Sequence, residues 1–425
     1  MDARSIAPML RPLDAVLRAP PSKSATHRAL VTAALSEGPS VVVESLRADD
    51  TDVTLEGLRA LGIDIARAAD VVTVRGGADA VRGGARISLR DSGTSMRFLL
   101  AVAALGRTPS SLDGSGRLRE RPLAELAGAL ASLGACVTLS GPDGRGLPAT
   151  AGGSRLEGGR LVLPGGTSSQ FASALLLVAP SLARGLDLTL VPPHVSLPYV
   201  ELTVRVLDAF GASVARRGPA SWRVEPGATT GREFRVEGDH STAAYFLAAA
   251  AVAGGRVRVE GLDPGSAQPD ARCGSILQRA GCRVTAGADW VQVEGGNGLA
   301  PVDADLTEAP DLAPTLAVVG LFAEGTSELR GLGHLRHKES DRLAVVAGNL
   351  RRLGCRVETR GDRLRITPSS RSRPPGAVIE TASDHRIAMA FAVAGLAIDG
   401  ITIDDPNCVA KSNPSFWSQL DLLRG

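Results

Sequence analysis

The chain has 425 residues, 44% of them hydrophobic but only 3% aromatic, and its 47 basic and 45 acidic side chains leave a net charge of +2. That length exceeds one ordinary core and predicts two domains, with interiors filled by Ala, Val and Leu. Near-neutral charge and scarce aromatics exclude a nucleic-acid binder, which needs a basic face and stacking platforms.

In chain order, Met1-Asp2-Ala3-Arg4 lacks the charged-then-apolar pattern of a leader, and segments 6–10 and 15–18 read as extended. Six Ala/Leu-rich stretches follow, each preceded by a small or acidic residue: Ser24, Ser92, Ser169, Ser241, Asp311 and Asp384. These predict the N-caps of six buried helices. The longest small apolar run, 243–253, is too short to span a bilayer, so a cytoplasmic protein without membrane contact is expected. Between the buried helices runs a second pattern, Leu-x-x-x-Gly followed three residues later by Val or Ile. It occurs at Leu58 and Gly62 with Ile65, Leu130 and Gly134 with Val137, and Leu207 and Gly211 with Val214. It returns at Leu277 and Gly281 with Val284, and at Leu350 and Gly354 with Val357. A surface helix that stops at a left-handed glycine and runs into a strand has this signature. Pro122, Pro198 and Pro269 fall at the first-turn positions of such helices, where a missing N–H costs nothing.

Each repeat thus reads as buried helix, strand, surface helix, strand, strand. The last surface helix is expected from Pro414 to Gly425, and the chain stops without its strands, which segments 6–10 and 15–18 can supply. The expected fold is α/β, with domains of 21–236 and of 1–20 plus 237–425, three repeats in each. An open solenoid is the alternative, disfavoured because the repeats lack polar capping ends. The five cysteines (Cys136, Cys273, Cys282, Cys355, Cys408) form no CxxC pair. They read as core fillers in a reducing compartment, not as disulfides or a zinc site.

Helix N-termini carry free N–H groups and about half a positive charge, so they suit anions. The distinctive segments sit there: Pro20-Pro21-Ser22-Lys23-Ser24-Ala25-Thr26-His27-Arg28, Arg90-Asp91-Ser92-Gly93-Thr94-Ser95-Met96-Arg97, and Gly165-Gly166-Thr167-Ser168-Ser169-Gln170. The chain has only three lysines, Lys23, Lys338 and Lys411, against 44 arginines. Arginine therefore serves wherever any cation will do, and the lysines mark places that need a compact ammonium. Ala309-Pro310-Asp311, His337-Lys338-Glu339-Ser340-Asp341-Arg342 and Thr381-Ala382-Ser383-Asp384-His385-Arg386 add carboxylates beside cations.

Together, PSKSxTHR, GTSMR, RLRERP, SSQ, KESDR and DHR resemble, in order and spacing along essentially the whole chain, the 5-enolpyruvylshikimate-3-phosphate synthase family. The resemblance implies an inverse α/β barrel type of fold. Two domains of three βαβαββ repeats would turn the N-termini of their buried helices to an interdomain cleft. It implies transfer of the enolpyruvyl group of phosphoenolpyruvate to the 5-hydroxyl of shikimate 3-phosphate, on the route to chorismate and aromatic amino acids. A monomer without metal or cofactor is expected, with these two small molecules as its partners. Ser24, Arg28, Ser168, Ser169, Gln170, Ser196, Tyr199, Asp311, His334 and Lys338 would hold shikimate 3-phosphate. Gly93, Arg117, Gln170, Arg342, Arg386 and Lys411 would hold phosphoenolpyruvate, and Lys23 both. Asp311 matches the base for the 5-hydroxyl and Glu339 the acid for the enol methylene, and Lys23 is the third catalytic residue that the resemblance implies.

Three positions depart from the family pattern. His334 and Asp91 stand where Asn is common, and Phe98 replaces a frequent Pro. Asp91 is expected to turn away and cap the helix or pair with Arg97. The rival within the superfamily transfers enolpyruvyl to UDP-N-acetylglucosamine. Its members carry a reactive Cys on the loop matched here by 112–122, which has none.

Overall fold

Each Leu-x-x-x-Gly segment ends a surface helix in the same way. Gly62, Gly134, Gly211, Gly281 and Gly354 have φ between +83° and +110°, the left-handed region that glycine enters without cost. The next amide donates back to the leucine carbonyl: Ile63 to Leu58, Ala135 to Leu130, Ala212 to Leu207, Cys282 to Leu277 and Cys355 to Leu350, at 3.0–3.2 Å. This six-to-one bond satisfies an orphan carbonyl and sets an apolar contact between its two ends. Cys282 and Cys355 are small apolar residues at that contact, buried at 4% and 6% exposure.

The computed structural model describes residues 3–296, 298–369 and 376–424. The chain forms two units, Met1–Pro20 with Gly238–Gly425, and Pro21–Glu237. Each unit has its own apolar core, in which helices lie inside and sheets outside. The buried helices are Lys23–Leu35, Gly93–Ala104 and Ser169–Val178 in one unit, and His240–Ala253, Ala313–Leu321 and His385–Ala394 in the other. Small side chains let them approach closely; Ala243, Ala244, Ala248, Ala249 and Ala250 are all at 0% exposure.

One sheet pattern recurs. The strand entering a buried helix runs parallel to the strand leaving it, and the closing hairpin is added antiparallel: Arg86–Ser88, Ser110–Asp113, Ala149–Ala151, Val137–Leu139. Two strands are exchanged against chain order. Leu13–Arg18 precedes the first buried helix, yet it pairs parallel with Gly255–Glu260, after the fourth. Glu233–Arg235 precedes the fourth, yet it pairs parallel with Pro39–Val43, after the first. Arg4–Ile6 pairs antiparallel with Ile401–Ile403 and completes the sixth sheet. Phe416 stacks on Phe246 at 5.9 Å, and Arg4 lies over Trp417 at 4.7 Å, so the last helix packs in the unit that holds the first strands.

Several element starts differ from the sequence reading. The first strand lies at Arg4–Ile6 rather than 6–10, and the last helix is Phe416–Leu422, beginning two residues after Pro414. Pro198 does open its helix, but Pro122 lies two residues before Ala124–Ser132, and Pro269 opens a 3-10 turn before Cys273–Arg279. Ser22 rather than Ser24 caps the first buried helix, Ser168 rather than Ser169 the third, and Asp239 rather than Ser241 the fourth. Each start offers two cap-competent side chains within three residues, and tertiary contacts choose between them. Asp311 lies on the 3-10 turn Pro310–Leu312, with helix proper from Ala313. Ser92 and Asp384 are the caps expected. Among the described residues, no helix is long and apolar enough to cross a membrane.

Candidate active site

In the unit Pro21–Glu237, the helix mouths are capped by the neutral serines Ser22, Ser92 and Ser168. Their positive ends are therefore left for a ligand to balance. Lys23, the first residue of its helix, pairs with Asp50 at 2.9 Å, and the two side chains are only 13% and 4% exposed. The Asp50 carbonyl accepts from Ser95 Oγ at 3.0 Å, Ser95 meets Thr54 Oγ1 at 2.8 Å, and Thr54 meets His27 Nδ1 at 2.7 Å. A chain of hydrogen bonds thus joins the first two buried helices beneath Lys23. Gln170 Nε2 donates to Thr94 Oγ1 at 3.1 Å, bringing the second and third mouths together. Gln170 Oε1 is buried with no partner among the described residues.

Arg28 is 2% exposed and donates to Thr203 Oγ1, the Ser24 carbonyl, Ser173 Oγ and the Tyr199 carbonyl at 2.7–3.1 Å. It has no carboxylate partner among the described residues, and burial lowers its guanidinium to about 10 against the pull of Tyr199. Such a charge is costly until an anion reaches it. Phe98 packs edge-on to His27 at 6.4 Å and under Arg28 at 5.4 Å, so this aromatic backs the Lys23–Leu35 helix. Ser196 is buried at φ +56°, a conformation disfavoured for a residue with a Cβ. Ser169 is buried as well, while Ser24, Ser168 and Tyr199 are partly exposed.

In the other unit the mouths are acidic. Arg342, 1% exposed, donates from Nε and Nη2 to Asp384 at 2.9 and 3.2 Å, from Nη1 to Asp311 at 2.9 Å, and from Nη2 to Glu339 at 2.8 Å. Arg386 holds the second oxygen of Asp311 at 2.6 Å and donates to the Tyr245 hydroxyl at 3.4 Å. Asp384 caps its helix through the Arg386 amide at 3.0 Å and also accepts from Ser340 Oγ at 3.1 Å. Burial favours a neutral Asp311, but Arg386, Lys338 and Arg342 outweigh it and hold the carboxyl well below the usual range. Burial opposes charge on Arg342 too, and Asp384, Glu339 and Asp311 reverse that and raise it. Burial and Lys338 lower His334 to about 3, which leaves a neutral imidazole at pH 7 whose Nε2 has no partner among the described residues. Lys411 ends the turn Pro406–Lys411, 9% exposed, packed on the His385–Ala394 helix.

Asp311, Glu339, Arg342 and Arg386 are therefore joined by direct ion pairs, and Lys338 and His334 act within the same field. Arg117 is different: it is exposed on its loop and pairs with Glu120 at 2.6 Å. The buried arginine of that loop is Arg121, 7% exposed, and it packs on Gly93, where a Cβ would come within 2.2 Å of its Nη1. Arg97 bridges the Gly93 and Pro122 carbonyls at 2.8 and 3.0 Å and so fastens the loop to the helix mouth. Asp91 is not the cap, which is Ser92; its carboxylate accepts from Ser115 Oγ. Sequence reasoning gave no site role to Arg121 or Asp50, and named Arg97 only as a partner for Asp91. A buried arginine leaves no local pattern, and Asp50 sits in an acid-rich first turn that reads as helix-end charge.

These repeats, with buried helices inside and sheets outside, place the chain in the fold class of the enolpyruvyl transferases. It superposes on an enolpyruvyl transferase of Streptomyces tendae with a TM-score of 0.78, covering 98% of this chain and 96% of that one at 22% identity. Residues 9–420 match the family model described as EPSP synthase (3-phosphoshikimate 1-carboxyvinyltransferase). The chain is 44% identical over 412 residues to the 3-phosphoshikimate 1-carboxyvinyltransferase of Methanoculleus marisnigri, covering 96% of both. It is 29% identical to an EPSP synthase from Acinetobacter baumannii, with a TM-score of 0.82 over 99% of this chain and 98% of that one. The chain belongs to the EPSP synthase family and is an enzyme.

Proposed function

We propose that the chain joins phosphoenolpyruvate to the 5-hydroxyl of shikimate 3-phosphate and releases inorganic phosphate. The carrying observation is the Asp311–Arg342–Glu339 cluster, in which one buried guanidinium bridges the expected base and the expected acid. Asp311 takes the proton of the 5-hydroxyl as its oxygen bonds to C2 of the enol. Glu339 gives a proton to the methylene, so that C2 becomes electrophilic as it is attacked. In the tetrahedral adduct the C2–phosphate bond then breaks, and the methyl returns a proton to Glu339. The hydroxyl proton ends on phosphate or solvent.

The division of caps supports this reading. Neutral serines, Gln170 and Arg28 suit a phosphate and hydroxyls, which need donors and acceptors without a competing carboxylate. Ser24, Ser168, Ser169, Ser196 and Tyr199 belong to that set, and the family resemblance adds His334 and Lys338. Arg342, Arg386, Lys411, Lys23, Gly93 and Gln170 serve phosphoenolpyruvate, as the family resemblance implies, with Arg121, packed on Gly93, in the place expected for the exposed Arg117. Clamped by two arginines, Asp311 is a weak base. An anion that draws Arg386 away restores its basicity at the moment it is needed.

The test is phosphate release from phosphoenolpyruvate with shikimate 3-phosphate, with UDP-N-acetylglucosamine, and with neither. Release only with shikimate 3-phosphate is expected; release with the nucleotide sugar instead overturns the reading. Asp311→Asn is expected to bind shikimate 3-phosphate yet lose turnover, and unchanged turnover would remove Asp311 from the role of base.

A further inference from the structure

Two of the buried arginines are surrounded in opposite ways. Arg342 meets three carboxylates, whereas Arg28 donates only to neutral oxygens among the described residues. A guanidinium has five N–H groups. In Arg28 the Nε–H goes to Thr203 Oγ1 at 2.7 Å, and Nη2 donates to Ser173 Oγ at 3.1 Å and to the Tyr199 carbonyl at 2.9 Å. One N–H of Nη1 goes to the Ser24 carbonyl at 2.9 Å. The N–H that is left sits on the same Nη1, the nitrogen that reaches the first turn of the Lys23–Leu35 helix.

Thr203 and Ser173 are both at 0% exposure and have no part in the reaction above. Thr203 lies one turn past Tyr199 on the Pro198–Ala209 helix, and Ser173 lies on the Ser169–Val178 helix. The Thr203 hydroxyl reaches Ser173 Oγ at 2.9 Å and the Tyr199 carbonyl at 3.0 Å. It thus accepts from Arg28 on one side, donates on the other, and ties three helices to one guanidinium. A carboxylate in its place would cancel the charge of Arg28, and an apolar side chain would leave a buried N–H unmet. A hydroxyl orients the guanidinium and leaves its charge in force.

We propose that Thr203, supported by Ser173, is a positioning residue for shikimate 3-phosphate. It locks the Arg28 guanidinium so that a single Nη1 N–H and an uncancelled positive charge are presented to an anionic group of that substrate. The inference rests on the assignment of Arg28 to shikimate 3-phosphate.

The experiment is calorimetric titration of shikimate 3-phosphate into the full chain, with KM for phosphoenolpyruvate measured alongside. Thr203→Val keeps the shape but removes the acceptor, so Kd for shikimate 3-phosphate should rise about tenfold while KM for phosphoenolpyruvate changes less than about twofold. Thr203→Ser puts the hydroxyl back and should restore the wild-type Kd. Ser173→Ala leaves Nη2 on the Tyr199 carbonyl and should raise Kd by less than Thr203→Val does. A wild-type Kd in folded Thr203→Val, an equal rise in KM for phosphoenolpyruvate, or no rescue by Thr203→Ser overturns the positioning role and leaves the proposed function intact. If Thr203→Val does not fold, Ser173→Ala decides: a raised Kd supports the role and a wild-type Kd overturns it. A wild type that neither binds shikimate 3-phosphate nor releases phosphate with it would bring down both readings together.

Discussion

At the scale of single residues, the chemistry rests on which cation stands where. Lys23 is an ammonium on a buried carboxylate at a helix mouth, and Lys338 and Lys411 lie among acids or in a tight turn. A guanidinium is wider and binds as a planar fork, so it does not replace a point charge in such places. Lys23→Arg, Lys338→Arg and Lys411→Arg are each expected to lower turnover at least about tenfold, or about 1.4 kcal/mol in barrier. Full rates from all three would defeat the argument from lysine scarcity. His334 makes the opposite case. Neutral at pH 7 through burial, it offers what an amide offers, a donor and an acceptor without charge. His334→Asn should keep activity within a few fold and His334→Ala should raise KM for shikimate 3-phosphate. Equal KM values for the two variants would deny the side chain a ligand.

At the scale of elements, the helix stops show how far local rules reach. Leu-x-x-x-Gly was readable because the six-to-one bond closes within six residues, and no distant contact is needed to choose it. Gly211 has φ +83° and empty space where a Cβ would lie. Gly211→Ala should therefore cost only the conformational term, about 1 kcal/mol, read as a small drop in urea midpoint. Gly255 has φ +90°, but a Cβ there would sit 2.2 Å from both the nitrogen and the oxygen of Leu13. Gly255→Ala should cost clearly more, because it pushes away the exchanged strand Leu13–Arg18. Equal midpoints for the two variants would contradict the strand pairing. The N-caps were less legible for a physical reason. Ser22 and Ser24, Ser168 and Ser169, and Asp239 and Ser241 all satisfy the chemistry of a cap, and packing selects one of each pair.

At the scale of the whole molecule, the residues proposed for each substrate are divided over the two units. Adding shikimate 3-phosphate is expected to reduce the radius of gyration in small-angle scattering, and an unchanged curve at saturating ligand would count against shared binding. What the sequence determined by itself was the periodic frame: repeat length, helix stops, the family, and the polar strings that belong to helix starts. All of these follow from interactions between near neighbours in the chain. Only the tertiary structure decided which strand completes which sheet, that Arg342 binds Asp311 and Asp384 from two other elements, and that Arg121 rather than Arg117 is the buried arginine on Gly93. A buried charge is defined by partners distant in sequence and by the water it has lost, and neither is written in the residues on either side of it.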